Sequence, residues 1–172
     1  MAVNLQAAWE ATFTRRWHRH ALLADTVDPI AAHQGRVALL ALMLFPTAHA
    51  VHRAAVLHDM GEAAVGDVPN PVKNANPDLK AALDRIEGEA MTRMGIPPVS
   101  LDDIERDMLR LCDKLDAILW ARHHRPDLMS HPAWQGDVQE VNGLAWRLGV
   151  KDKVPVGFEW PTDWNDWHEG GF

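Results

Sequence analysis

The chain has 172 residues, and it is poor in cysteine, in long apolar runs and in positive charge. A single thiol, Cys112, cannot close an intramolecular disulfide, so a packed core has to hold the fold. A reducing compartment is the simplest setting for it. The longest apolar stretch, from Val37 to Pro46, is too short to span a bilayer and suits a buried helix. No apolar segment of a secretion signal lies between Met1 and His20, which ends in a basic cluster, so a cytoplasmic protein without a membrane partner is expected. The formal net charge of −7 argues against broad binding to a nucleic acid polymer. The two-residue alternation of half-buried strands is missing as well.

What is present is helical spacing nearly throughout, with 47% apolar residues to fill a core. The expected fold is therefore all-α, one compact helical bundle over residues 1–150. A Trp-rich tail over residues 151–172 is expected to pack on that core or on a subunit interface. Asn4 is placed to cap a first helix reaching about Arg16. Asp28-Pro29 supplies an N-cap and first-turn pair for a helix running to Phe45, where Pro46 stops it. On that helix Ile30, His33, Val37, Leu40 and Leu44 recur in steps of three and four, which puts His33 on the buried stripe. Thr47 would cap the next helix, which ends at His58-Asp59 before Gly61. Residues 66–76, with Gly66, Pro69 and Pro71, read as an ordered loop. Asn76-Pro77 opens a helix that Gly95 closes. Ser100 with Asp103 resembles a capping box for a long helix to Arg125, and residues 132–148 form a last helix closed by Gly149. Met91, Met94 and Met108 fall at helical spacing and read as core.

His33, the doublet His58-Asp59 and Asp113 are four metal-ligating side chains on three of these helices. Imidazole nitrogen with carboxylate oxygen suits Zn, Mn, Fe or Co, and the lack of Cys ligands argues against a closed structural zinc site. Four protein ligands leave room for water on an ion of higher coordination, as hydrolysis requires. Glu62 follows His58 by four residues and Asp67 lies five further on, which brings two more carboxylates within reach. Asp59, Glu62, Asp67 and Asp113 together would repel one another unless cations balanced them, and two divalent ions would do so. Singly these residues have bland readings. A lone His on an apolar face is usually a hydrogen-bonded core residue, and a His-Asp pair arises by chance. Their combination is hard to explain as packing. Asp113 has Leu109 and Ala117 one turn to either side, a costly place for an unpaired carboxylate.

The run Arg16-Trp17, then His33, then His58-Asp59-Met60-Gly61-Glu62, then Gly66-Asp67-Val68-Pro69-Asn70-Pro71-Val72-Lys73, then Asp113 resembles the HD-domain phosphohydrolase superfamily. More narrowly it is similar to the nucleotide branch, with its 5′-deoxynucleotidases and small phage dNTP triphosphohydrolases. The likeness covers residues 15–119. It implies an HD-domain bundle in which His33, His58, Asp59 and Asp113 hold a divalent transition metal (Zn, Co or Mn). It makes Glu62 and Asp67 the catalytic carboxylates, orienting the attacking water or holding a second ion (Co, Mn or Mg). It sets Trp17 against the sugar, where it disfavours a 2′-hydroxyl, with Pro71 on the other side of the pocket. Arg16, Arg19 and Lys73 are the expected phosphate contacts, and local cations of this kind let a chain of net charge −7 attract a polyanion. One departure is Ala32, where relatives commonly carry Glu before the first His, so a contact behind the ligands is either missing or supplied elsewhere. Relatives assemble, which implies a homo-oligomer.

The expected reaction is in-line attack of metal-activated water on phosphorus. With a dNTP, dATP foremost, it releases deoxynucleoside and triphosphate; with a deoxynucleoside monophosphate, the alternative, it releases orthophosphate. A nuclease would want a basic groove, which the acidic charge disfavours. A non-catalytic nucleotide sensor would not need all six imidazole and carboxylate positions. His18 and His20 sit in a basic loop, as substrate contacts or solvated. His49 and His52 are expected to face outward, and His123-His124 to complement the dipole at the end of the long helix. Trp160, Trp164 and Trp167 read as packing or subunit contacts rather than a base-stacking platform.

Overall fold

A computed structural model describes residues 3–154, so Trp160, Trp164 and Trp167 lie outside the described residues. Among those described there are seven α-helices and no strand longer than an isolated bridge. Helix α1 (Leu5–Ala11) starts where the Asn4 side chain accepts the Ala7 N–H, as expected, but it ends well short of Arg16. The reason is competition for backbone partners. Ile30 N–H donates to the Thr14 carbonyl and Arg16 N–H to the Asp28 carbonyl, so residues 14–16 pair with residues 28–30 rather than continue the helix.

Helix α2 (Ile30–Leu44) and helix α3 (His49–Leu57) follow, and neither has a side-chain cap. Thr47 does not cap, and the Asp28 carboxylate is buried on other partners described below. A 3-10 turn (Met60–Ala64) follows the His58-Asp59 doublet. The expected loop over residues 66–76 contains a short helix, α4 (Asn70–Ala75), with Pro71 in its first turn, where a missing N–H costs nothing. Helix α5 (Pro77–Met94) closes at Gly95, whose φ of 76° is open to glycine at little cost. Helix α6 (Asp103–His124) carries its capping box on Asp102 and Glu105 rather than on Ser100 and Asp103. Each bonds the other's backbone N–H, and that reciprocity needs an acceptor side chain three residues on that is long enough to reach back. Helix α7 (Pro132–Arg147) completes the bundle.

Helices α2, α3, α6 and α7 share the main core, in which Val37, Val51, Leu111, Ile118 and Val141 are fully buried. Burial of one such side chain is worth about 1.5–3 kcal/mol. Ala11, Met60, Ala90 and Met94 form a smaller cluster beneath α1, the 3-10 turn and α5. Met94 is in that cluster, with Met91 packed against it and Met108 against the main core. The 3-10 turn is pressed so tightly on α5 that a Cβ on Gly61 would lie 2.7 to 2.9 Å from the Cβ, carbonyl and Cα of Glu87. The His58-Asp59 doublet lies where α3 gives way to this turn. No described helix is long and apolar enough to cross a membrane.

Candidate metal centre

His33 projects from the first turn of α2 and is fully buried. Its Nδ1 lies 2.7 Å from Asp116 Oδ2 on α6. His58 closes α3, and its Nδ1 is 2.9 Å from the Ala55 carbonyl, which can only accept. With its Nδ1 proton given to that acceptor and a metal in place of a second proton, each imidazole would turn the lone pair of Nε2 inward. The two Nε2 atoms are 3.2 Å apart. Asp59 Oδ2 approaches them at 3.2 and 3.5 Å, and Asp113 Oδ1 at 3.3 and 3.8 Å.

Four acceptor atoms facing one another repel unless a cation lies among them. A metal held at about 2.0–2.2 Å from each ligand places neighbouring ligand atoms about 3.0 to 3.5 Å apart. The observed separations suit such an ion, and ligand atoms of His33, His58 and Asp113 all lie within 4.8 Å of one another. Burial alone would lower the pKa of His33, but hydrogen bonds to Asp113, Asp116 and Asp59 raise it to about 10. Burial likewise opposes the charge on Asp113, yet its bonds with His33 and His58 hold it well below the usual carboxylate range. The cluster thus draws positive charge strongly, and a divalent ion would supply it without protonating a ligand.

Behind the imidazoles lies an ion-pair network that the sequence reading did not anticipate. Asp116, 2% exposed, accepts from Arg36 Nε at 2.6 Å as well as facing His33. Arg36 Nη2 also donates to both oxygens of Asp28 at 3.0 Å, and the guanidinium lies over the Trp120 ring at 4.4 Å. Arg16 Nη1 sits 2.6 Å from His33 Nδ1, 3.6 Å from Asp116 and 3.7 Å from Asp28. A guanidinium only donates, so when Nδ1 gives its proton to Asp116 the two carboxylates are what remain to Arg16. Asp116 therefore takes the part that the sequence suggested was missing at Ala32. The signal was legible in hindsight: Asp116 follows Asp113, and Arg36 follows His33, by one helical turn. Buried Gln34 on α2, with its amide turned to satisfy both neighbours, donates to the Val56 carbonyl and accepts the Asp59 N–H, which anchors the doublet.

The opposite side of the cluster is built differently. Glu62 is 7% exposed, and its Oε2 has no hydrogen-bond partner. Lys73 Nζ is 3.8 Å from Glu62 Oε1 and 4.0 Å from Glu87 Oε1, which also lacks a hydrogen bond. Burial, then repulsion from Asp59 and Asp67, pushes Glu62 up to about 9 against the pull of Lys73 and Arg16. A cation beside Asp59 would reverse the second of these causes. Asp67 Oδ2 accepts the backbone N–H of Trp17 at 3.0 Å. Trp17 has a φ of 64°, unusual for a residue with a side chain, and its surroundings hold it there. Its indole N–H donates to Asp28 at 3.2 Å, and its ring packs near His20 and Trp134.

The structure therefore brings His33, His58, Asp59 and Asp113 together, with Glu62, Asp67, Arg16, Trp17 and Lys73 around them. Arg16 and Lys73 are engaged with carboxylates, while Arg19 and Pro71 are exposed. His52 is not simply outward, since its ring bonds the Phe45 carbonyl. A cleft of about 630 Å³ opens onto His58 and Asp113. Its wall is the first half of α6, through Asp103, Arg106, Asp107, Leu109 and Arg110. Neither arginine was among the expected phosphate contacts.

Comparison with known proteins agrees with this geometry. The family model described as 5′-deoxynucleotidase YfbR-like matches residues 12–120, which span every side chain of the cluster. A dATP triphosphohydrolase of Cyanophage S-2L is 31% identical over 121 residues, 65% of this chain and 66% of that relative, so the match spans just under two thirds of the relative's length. No solved structure matches the chain. With the family model covering well over half of the sequence and the ligand cluster assembled within the matched region, the chain belongs to the 5′-deoxynucleotidase YfbR-like family of HD-domain hydrolases.

Proposed function

We propose that this protein is a metal-dependent phosphohydrolase of 2′-deoxynucleotides, with dATP or another dNTP cleaved to deoxynucleoside and triphosphate. The observation that carries the reading is the approach of Asp59 and Asp113 oxygens, at 3.2 to 3.8 Å, to two imidazole Nε2 atoms that are themselves 3.2 Å apart, with His33, His58 and Asp113 forming a mutually close trio. His33, His58, Asp59 and Asp113 would hold a divalent ion, whether Zn, Co or Mn, which would supply Lewis acidity at the phosphoryl group and lower the pKa of water towards neutrality. Glu62 and Asp67 then orient the attacking water and take up its proton, or hold a second ion (Co, Mn or Mg). Glu62 suits proton transfer because it is buried and its Oε2 has no hydrogen-bond partner among the described residues.

Around this chemistry Trp17 walls the sugar and excludes a 2′-hydroxyl, with Pro71 opposite. Arg16, Arg19 and Lys73 neutralise phosphate near the ion. Arg106 and Arg110 line the cleft leading away from the ligands, and this favours a substrate with phosphates beyond the first. The phage relative's name points the same way. The family description favours the second reading, a 5′-deoxynucleotidase acting on monophosphates. Apolar side chains left exposed on one face of α2, Leu39, Leu42 and Met43, support self-association. The test is to load the protein with Zn, Co or Mn and supply dATP, dAMP and ATP. Triphosphate from dATP supports the first reading, and orthophosphate from dAMP alone supports the second. Turnover of none of them with metal bound would end both.

A further inference from the structure

Asp28 has no role in either reading, yet it is fully buried at the meeting point of two parts of the site. One oxygen, Oδ2, accepts the Trp17 indole N–H at 3.2 Å. Both oxygens accept from Arg36 Nη2 at 3.0 Å. The same guanidinium reaches Asp116 through Nε at 2.6 Å and Nη2 at 3.1 Å, and Asp116 faces His33 Nδ1 at 2.7 Å. An unbroken chain of short polar contacts therefore runs from the indole of Trp17 to the imidazole of a metal ligand. We propose that Asp28 is a positioning residue that holds the sugar wall and the His33 ligand in register through Arg36 and Asp116.

The physical case rests on what each group can do. Among the described residues Arg36 bridges the two carboxylates through short bonds, where Arg16 approaches them only at 3.6 and 3.7 Å, and a planar fork held at both ends is restrained from rotating. Asp116 is thereby fixed as an acceptor, which sets the His33 tautomer and aims Nε2 at the ion. At the other end, the Trp17 backbone sits at a positive φ that only firm outside contacts sustain. The Asp28 carboxylate is one of those contacts, and Asp67 is another. Without Arg36 the buried Asp28 carboxylate would keep only the longer approach of Arg16 at 3.7 Å and the Trp17 indole, so its charge depends chiefly on Arg36. The inference rests on the proposed reading of the site, although its deciding measurement does not depend on turnover.

The experiment compares zinc affinity, by competition with a chelating dye, and the ratio of kcat/KM for dATP against ATP. The proteins are wild type, Asp28→Asn, Asp116→Asn, Trp17→Phe and Arg36→Lys. Asp28→Asn, which touches no expected ligand, should weaken zinc at least about tenfold and also narrow the dATP/ATP ratio. Asp116→Asn should weaken zinc with the ratio kept, and Trp17→Phe should narrow the ratio with zinc affinity kept. Arg36→Lys keeps the charge but cannot bridge both carboxylates, so it should lose zinc affinity with wild-type helix content. That variant decides the matter if Asp28→Asn does not fold. Folded Asp28→Asn, or Arg36→Lys, with zinc affinity within twofold of wild type would overturn the proposal. So would loss of zinc affinity in Asp28→Asn with the nucleotide ratio unmoved. A wild type that binds zinc but turns over neither nucleotide retires the functional reading instead, and the zinc comparison still judges Asp28.

Discussion

The two sides of the ligand cluster are built on opposite principles. On the imidazole side the charged groups interlock: His33 with Asp116, Asp116 with Arg36, Arg36 with Asp28 and Asp28 with Trp17. On the Glu62 side, two buried carboxylate oxygens lack any hydrogen bond, and Lys73 stands at 3.8 and 4.0 Å between the two carboxylates. Satisfied polar networks define geometry, whereas unsatisfied buried groups cost stability and are kept where chemistry uses them. On the proposed reading, one side positions ligands, and the other leaves a reactive group uncommitted. Substitutions on the two sides should fail in different ways.

The largest effect belongs to the ligands shared by both sides. Asp113→Ala removes a carboxylate that lies 3.3 Å from His33 Nε2 and 3.8 Å from His58 Nε2. Stoichiometric metal and essentially all hydrolysis should be lost together, as read by elemental analysis and product release on the same preparation. Purified variant that keeps one equivalent of metal and normal turnover would show that this oxygen is not a ligand.

Glu62→Gln comes next and separates chemistry from stability. The amide is nearly isosteric but cannot take a proton, so turnover should fall at least about a hundredfold while the first metal stays bound. Stability of the metal-free protein should move the other way. Glu62 has a folded pKa of about 9, above the ordinary 4.5, so the folded state binds its proton more tightly than the unfolded state does. The native state then loses stability as pH rises from about 4.5 towards 9, and below that window the effect vanishes. Glu62→Gln should accordingly melt higher than wild type at pH 8 and no higher at pH 4, both without metal. A variant less stable than wild type at pH 8 would mean that Glu62 is an ordinary structural carboxylate.

Trp17→Ala probes where the two sides touch, since its N–H bonds Asp67 and its indole bonds Asp28. Excluding ribose by a wall works through clash rather than attraction, so the variant should gain ATP rather than lose dATP. The kcat/KM ratio between them should narrow by about tenfold at saturating metal. If the ratio holds while the melting temperature drops, Trp17 packs the loop and the gate lies elsewhere.

The fold was legible wherever one element carried its own signal. Asn4, Gly95 and the spacing of Ile30, His33 and Val37 predicted caps and faces that the structure bears out. The end of α1 was not legible, because residues 14–16 are claimed by residues 28–30, a pairing that helical periodicity does not register. Asp28 misled for a related reason: its type suits an N-cap, but Arg36 and Trp17 took its carboxylate. The ligand cluster could be anticipated since metal-ligating residue types at odds with their apolar faces stand out in a sequence. Asp116, Arg36 and Gln34 could not be assigned in advance, because what they do depends on which helix faces which. Glu87 escaped for the same cause, meeting the centre only through the close approach of α5 to Gly61.

The smallest effect lies on the cleft wall, where neither building principle applies. Arg106 and Arg110 are largely exposed, and each pairs with a surface carboxylate, Asp103 and Glu140 respectively. Such pairs contribute about 0–1 kcal/mol, so little stability is lost when they are removed. On the proposed reading they act through charge beside the cleft that opens onto His58 and Asp113, a wall that also carries Asp103 and Asp107. A phosphate chain extending from the ion along α6 would pass them, whereas a monophosphate held at the ion would not reach so far. Replacing both with Gln should therefore raise KM for dATP several-fold, leave kcat close to wild type, and leave dAMP kinetics unchanged. The effect should shrink as salt rises, because exposed charges are screened over about 8–10 Å at moderate ionic strength. Equal increases in KM for dATP and dAMP would place the wall near the first phosphate and remove the support it lends to the proposed triphosphate substrate. No change with either nucleotide would mean that the phosphates leave the site by the Lys73 side.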